Sequence, residues 1–498
     1  MKRRLAIFLA AGALALQAAT YYVSSSAGND SNEGTRPNAP WKTLDKVNST
    51  DFQPGDRILL ESGSVWQGQL APRSSGAEGK PIGIDRYGKG RRPRIDAAGQ
   101  VEDALRLYNV QYIEIRNLEL TNTGPEPATR RGAYIVLENF GTAKHIVVSD
   151  LYIHDVNGTN KRKDNGGIIF RTHGDKTPSR YEGLTIERNI IWKVDRSAIA
   201  AQSYHSARSR WFPSLNVVIR DNFAEDIGGD GIVPWATESV LVEHNIVRDC
   251  NRRAATYNAG IWPWSTDNSL FQLNEASFTR TTLDGQGFDS DYNSRNTLFQ
   301  YNYSHDNEGG FMLICTPGRR PQGDNLGNIG NIGTIVRRNI SRNDHSRIFL
   351  ISAAEQTTVH DNAIYVGKDL DVQMLIMTNW SGWADGAVFR NNTFYVEGTA
   401  RYGHEVSRKR DGTYGIGPGW GPAKNVAFEG NRYIGHHVDR PEDPKGVVQE
   451  TASAPKLDWN APAFDPSNPD RFDAFIKAHR RWIVRLFERQ FGPLKLGR

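Results

Sequence analysis

Two aspartates, Asp289 and Asp291, stand two residues apart in the segment GFDSD (287–291). On a β-strand that spacing puts both side chains on one face, with Cα atoms about 6.5–7 Å apart. Carboxyl groups this close push one pKa up. A raised carboxyl beside an ionised one is what acid–base cleavage of a glycosidic bond needs, at either the retaining or the inverting separation. The other use of such a pair is a cation site, with calcium as the ion that carboxylates suit. Asp230 and Glu308 each stand just before a related segment and are candidates for a third carboxylate at the rim.

Four segments share the frame of this strand: DGIVPW (230–235), GIWPW (260–264), GFDSD (287–291) and GGFMLIC (309–315). Aligned on Gly231, Gly260, Gly287 and Gly310, they next present Ile232, Ile261, Phe288 and Phe311 to a core. The alternation of a strand then turns Val233 and Trp235, Trp262 and Trp264, Asp289 and Asp291, and Met312 and Ile314 outward. Strands at GGIIFRT (166–172), SAIAAQS (197–203), SRIFLIS (346–352) and QMLIMTN (373–379) extend the same face. They add Ile169, Arg171, Ala200 and Gln202 on one side, and Phe349, Ile351, Leu375 and Met377 on the other. With parallel neighbours about 4.8 Å apart, Asp289 is expected between Trp262 and Met312, and Asp291 between Trp264 and Ile314. Trp235, Trp262 and Trp264 make a stacking platform for sugar rings. Arg171, Gln202 and His305 (from YNYSHDN) complete the expected substrate contacts. Loops 155–165, 204–214, 316–333 and 397–424 are long enough to wall a cleft, and the second and third carry Arg208, Arg210, Arg319 and Arg320.

The elements that must position these residues are repeats. From about residue 110, an apolar–polar alternation leads again and again to an asparagine, once an aspartate, and a turn: Asn117, Asp150, Asn189, Asn222, Asn245, Asn274, Asn302, Asn339, Asn362, Asn392 and Asn431. Their spacing of 23 to 39 residues suits one solenoid coil plus variable loops. Asparagine can bond the coil above, the coil below and its own turn, so these residues read as a structural ladder. The absence of helical periodicity between strands argues against alternating α/β folds. Residues 20–109 read as an N-terminal cap with the first strands, 110–450 as the coils, and 451–498 as a helical extension with Phe472, Phe475, Ile476, Ile483, Leu486 and Phe487 at helical spacing.

Residues 1–19 have the form of a secretory signal peptide: MKRR, an apolar run from Leu5 to Leu16, then small residues. A secreted or periplasmic location is expected. No later run is apolar enough for a membrane span. The signal carries three basic and no acidic residues, so the net charge of +5 falls to +2 without it. That balance gives no basis for nucleic-acid binding. Cys250 and Cys315 allow one disulfide or two buried thiols, and no metal-binding cysteine or histidine spacing occurs.

Leader, cap, asparagine-punctuated coils and a decorated sheet face together resemble the right-handed parallel β-helix superfamily typified by pectate lyases. The resemblance implies an all-β, single-stranded right-handed parallel β-helix acting as a monomer on a polysaccharide or oligosaccharide. That superfamily holds hydrolases, lyases, C5-epimerases and non-catalytic binders, so the chemistry must come from the site. The aspartate cluster is similar to that of polygalacturonase-type hydrolases, although their Arg-Ile-Lys and Gly-His-Gly strings are absent. GFDSD also resembles the Tyr-Gly-Phe-Asp-Pro-His motif of alginate C5-epimerases. It departs from that motif at Gln286 and Asp291, and Ile314 replaces a second aspartate. The expectation is a glycoside hydrolase with Asp289 and Asp291 as its pair. A uronate lyase or epimerase, and a non-catalytic carbohydrate binder, are the alternatives. No cofactor is required by this reading, calcium being the ion the carboxylates would accept.

Overall fold

The computed structural model describes residues 18–281, 283–316, 330–378, 384–408, 414–415, 423–451, 454 and 456–496. The leader run, most of the 316–333 loop and part of the 397–424 loop lie outside them. The chain winds as a right-handed parallel β-helix with three sheets running along its length. One sheet stacks strands such as Thr142–Ser149, Arg180–Glu187, Leu241–Glu243, Leu270–Gln272 and Leu298–Gln300. The second stacks Tyr152–Val156, Ile190–Val194, Phe223–Ile227, Glu275–Ser277 and Tyr303–His305. The third stacks Gly166–His173, Ser197–Ser203, Ile232–Val233, Ile261, Gln286–Ser290, Gly310–Cys315, Arg347–Ser352 and Asp371–Thr378. Inward residues of all three meet in one continuous apolar core.

The turn from the first sheet to the second explains the asparagines. The residue before each one is left-handed: Arg188, Asp221, His244, Leu273, Tyr301, Arg338 and Asp361 have φ between 52° and 59°. Such backbone costs about 1–2 kcal/mol per residue and persists because the next side chain locks it. Asn302 is typical. Its Nδ2 donates to Asn339 Oδ1 (3.0 Å) and to the Phe271 carbonyl (2.9 Å), while its Oδ1 accepts from Asn274. The ladder runs from Asn189 to Asn431 and ends on the Asp443 carboxylate. Asn117 and Asp150 are not rungs. They occupy the left-handed slot themselves, with φ of 57° and 55°, and Leu118 and Leu151 take the inward place.

The C-terminal helix Phe472–Phe491 lies along the second sheet rather than across an end of the solenoid. Phe472, Phe475 and Ile476 pack on Tyr152, Ile190, Phe223 and Ile246. Trp482, Ile483, Leu486 and Phe487 pack on Tyr301, Tyr303 and Ile340. At the other end, Leu44 and Val47 of the short helix Leu44–Ser49 join the core of the first coils. No helix of the described residues is long and apolar enough to cross a membrane.

One register differs from the expected one. Gly310 stacks on Gln286, not Gly287, so Phe288 pairs with Met312 and Asp289 with Leu313. A one-residue slip turns every side chain to the other face. Met312, Ile314, Phe349, Ile351, Leu375 and Met377 therefore lie in the core, and Leu313, Cys315, Leu350 and Ile376 point outward. The glycines misled the alignment because they serve different ends. Gly231 and Gly260 allow coils to approach closely, since a Cβ would meet the next glycine's carbonyl at 2.3 and 2.5 Å. Gly310 instead has φ of +124° and abuts the Arg347 carbonyl.

Candidate active site

The third sheet carries the site. Ile261 bridges Ile232 and Phe288, so Trp262 neighbours Asp289 and Trp264 neighbours Asp291 on the outer face. On the other flank stand Leu313 and Cys315 instead of Met312 and Ile314. Trp235 and Trp264 lie with ring centroids 5.0 Å apart, and Tyr292 follows 4.9 Å from Trp264. All three rings are partly exposed, with Trp264 and Tyr292 nearest Asp291 and Trp235 one coil beyond.

Each carboxyl of the site has its own environment. Asp291 is partly exposed; its Oδ1 accepts from the Tyr292 amide at 2.6 Å and from the Cys315 thiol at 3.2 Å. Burial raises it to about 6, against the pull of those two bonds and of Lys163. Asp289 is 3% exposed, and its Oδ1 has no hydrogen-bond partner among the described residues. Burial, then the charges of Asp291 and Asp284, push it well above the usual carboxylate range. Sequence reasoning missed the third carboxyl, Asp284. It lies in the turn entering this strand, where Asp-Gly reads as ordinary turn chemistry. Burial and the charge of Asp291 raise it to about 8, partly offset by Arg347 and Lys163.

Several expected site residues do other work. Asp230 is fully buried rather than at the rim. Its carboxylate holds Lys163 Nζ (2.9 Å), Trp262 Nε1 (3.0 Å) and the Arg196 guanidinium (3.4 Å). Trp262 is accordingly a buried anchor, 3% exposed, and not a surface platform. Lys163, from the 155–165 loop, lies 4.4 Å over its ring. Glu308 turns away to cap the Thr281 amide at 2.6 Å. His305 belongs to the second sheet, stacked on Tyr303 and bonded to Asp306, with Glu275 3.6 Å away. It faces the C-terminal helix, because the turn that precedes it has already carried the chain to another face. Arg171 and Gln202 pair across the third sheet, both partly exposed, on the N-terminal side of the tryptophans. Arg208 clamps Asp267 through two bonds (2.7 and 2.6 Å), and Arg210 donates to the Tyr204 carbonyl. Both are spent on folding their loop, and neither stands on the sheet face beside the carboxyls. Arg319 and Arg320 lie outside the described residues. Cys250 is in the core and Cys315 on the outer face, both as free thiols.

Among the described residues, one group could hold a metal: an oxygen each of Asp289 and Asp291 and the Cys315 sulfur, all within 4.8 Å of one another. Calcium takes six to eight oxygens, so three donors including a thiol do not fit it. The set has the character that zinc accepts.

A family model described as a right-handed β-helix region matches residues 98–276 and, overlapping them, 178–325. The lacto-N-biosidase of Bifidobacterium longum subsp. longum is 29% identical over 535 aligned positions, which take in 87% of this chain. The chain spans only 32% of that curated relative's length. Among solved structures, the GH136 lacto-N-biosidase from Eubacterium ramulus, as its selenomethionine derivative, is 30% identical with a TM-score of 0.67, over 76% of this chain and 68% of that one. Its native form gives 28% identity and a TM-score of 0.62, over 77% and 68% of the two chains.

Proposed function

The chain belongs to the GH136 family of the Eubacterium ramulus lacto-N-biosidase, and from that premise we propose that it is an exported glycoside hydrolase cleaving lacto-N-biosides from oligosaccharides. The observation that carries the mechanism is the separation of two carboxyls by their surroundings. Asp291, at about 6, is ionised near neutrality, whereas Asp284, at about 8, keeps its proton. Acid and nucleophilic roles go to groups whose environments push their pKa values apart.

In this reading the Asp284 carboxyl gives its proton to the glycosidic oxygen as the bond to the anomeric carbon breaks. The Asp291 carboxylate meets the positive charge that develops on that carbon. A water then supplies the hydroxyl, and its proton restores Asp284. Asp289 differs from the role expected of it: buried and raised, it serves as the protonated neighbour that keeps a second charge away from Asp291. Trp235, Trp264 and Tyr292 offer ring faces to the sugar beside the bond.

The test is to incubate the protein and an Asp291→Asn variant with lacto-N-biosides and with neutral and uronic-acid polysaccharides, following reducing ends and unsaturated-uronate absorbance together. New reducing ends without absorbance, lost in the variant, are expected. Absorbance would move the protein to the lyases, and retardation of a polysaccharide with no new reducing ends would move it to the binders.

A further inference from the structure

Besides Asp289, the centre holds another group that neither donates the catalytic proton nor meets the sugar. Cys315 is 3% exposed and packs with Leu313, Leu350, Ile376 and the partly buried Tyr292. In this apolar collar its polar partner among the described residues is Asp291 Oδ1, at 3.2 Å. The Tyr292 amide reaches the same oxygen at 2.6 Å. Two donors on one carboxylate oxygen fix the rotation of the group and leave Oδ2, which bonds none of the described residues, as the oxygen that acts.

We infer that Cys315 is a positioning residue of the catalytic centre, whose thiol turns Asp291 so that its free oxygen faces the anomeric carbon. This rests on the hydrolase reading above. A thiol suits the task for a physical reason. It is a weak donor, so it can hold the carboxylate without withdrawing much of its basicity, as a hydroxyl would. The thiol sits 3.2 Å from Asp291 Oδ1, within reach to donate to it. Its place depends on the register of the third sheet. Were Gly310 stacked on Gly287, Ile314 would flank Asp291 and no donor would stand there.

The test compares Cys315→Ala and Cys315→Ser with the wild type, using kcat, KM, the pH profile of kcat/KM and thermal melting. Cys315→Ala is expected to lower kcat about tenfold, the worth of one modest hydrogen bond, with KM within about twofold. Its acidic limb should move upward, because a bond to the charged form is lost. Cys315→Ser is expected to recover most of kcat and to move that limb downward. If both variants melt as the wild type does and neither shifts the limb, or if both lose activity only in step with lost folded protein, the inference is overturned. A readout independent of turnover is the infrared S–H stretch of Cys315, isolated by subtracting the Cys315→Ser spectrum. It should shift as pH passes through about 6 and in Asp291→Asn; a band that does neither refutes the bond. Should the wild type cleave no glycoside, the hydrolase reading falls while this spectral result still decides the contact.

Discussion

Replacing Asp284 by asparagine tests the assignment of the general acid most directly. At its raised value of about 8, roughly nine molecules in ten carry the proton at neutral pH. At an ordinary aspartate value, fewer than about one in a thousand would. The raised value thus multiplies the acid form by roughly a thousandfold, and general acid catalysis is itself worth about 10²–10⁴ in rate. Asp284→Asn should therefore lower kcat/KM on a natural oligosaccharide by about 10²–10⁴. On an aryl glycoside whose leaving group needs little protonation, the loss should stay under about tenfold. The pH profile adds a signed check. Wild-type activity falls as pH drops through about 6, where Asp291 gains a proton, and falls again as pH rises through about 8, where Asp284 loses one. In the variant the upper limb should vanish and the lower remain. Equal losses on both substrates, or an upper limb that persists, would refute the assignment.

Four further outcomes follow from the structure. Trp264→Ala, which removes the ring between Trp235 and Tyr292, should raise KM about tenfold, or ~1.4 kcal/mol of binding, with kcat little changed in steady-state assays. Zinc should inhibit competitively through Asp289, Asp291 and Cys315. Cys315→Ser should weaken that inhibition in titrations, while added calcium should have no effect. Glu275 is fully buried, bonded to His479 of the C-terminal helix at 2.8 Å and beside His305. Glu275→Gln should cost about 3–5 kcal/mol, as breaking a buried pair does, and show as a lower melting temperature. Although burial opposes it, the bond to Asp306 and the Glu275 carboxylate 3.6 Å away raise His305 to about 9. Its stabilisation should thus be fully present below its unfolded value of about 6.5 and fade as pH rises through about 9, in melts across that range.

The repeat was legible because every coil meets the same constraint. A left-handed turn must be paid for by a side chain that bonds up, down and inward, and asparagine meets that need from Asn189 to Asn431. The outward pairing of Asp289 and Asp291 followed from strand alternation alone. His305 did not, since a single turn decides which of three faces a strand joins, and turn residues look alike whichever face follows.

Local pattern thus determined the coil, its ladder, the apolar lining and a carboxylate pair beside tryptophans, because each depends on residues close along the chain. Tertiary structure decided what stands against that pair. The register that brings Cys315 to Asp291 is set by core packing across coils. The entry of Asp284 depends on how a turn folds over the sheet. The withdrawal of Asp230 and Trp262 into a buried network with Lys163 joins residues up to 99 positions apart. Burial and the field of neighbouring charges, which separate one carboxyl from the next, exist only once the coils are stacked.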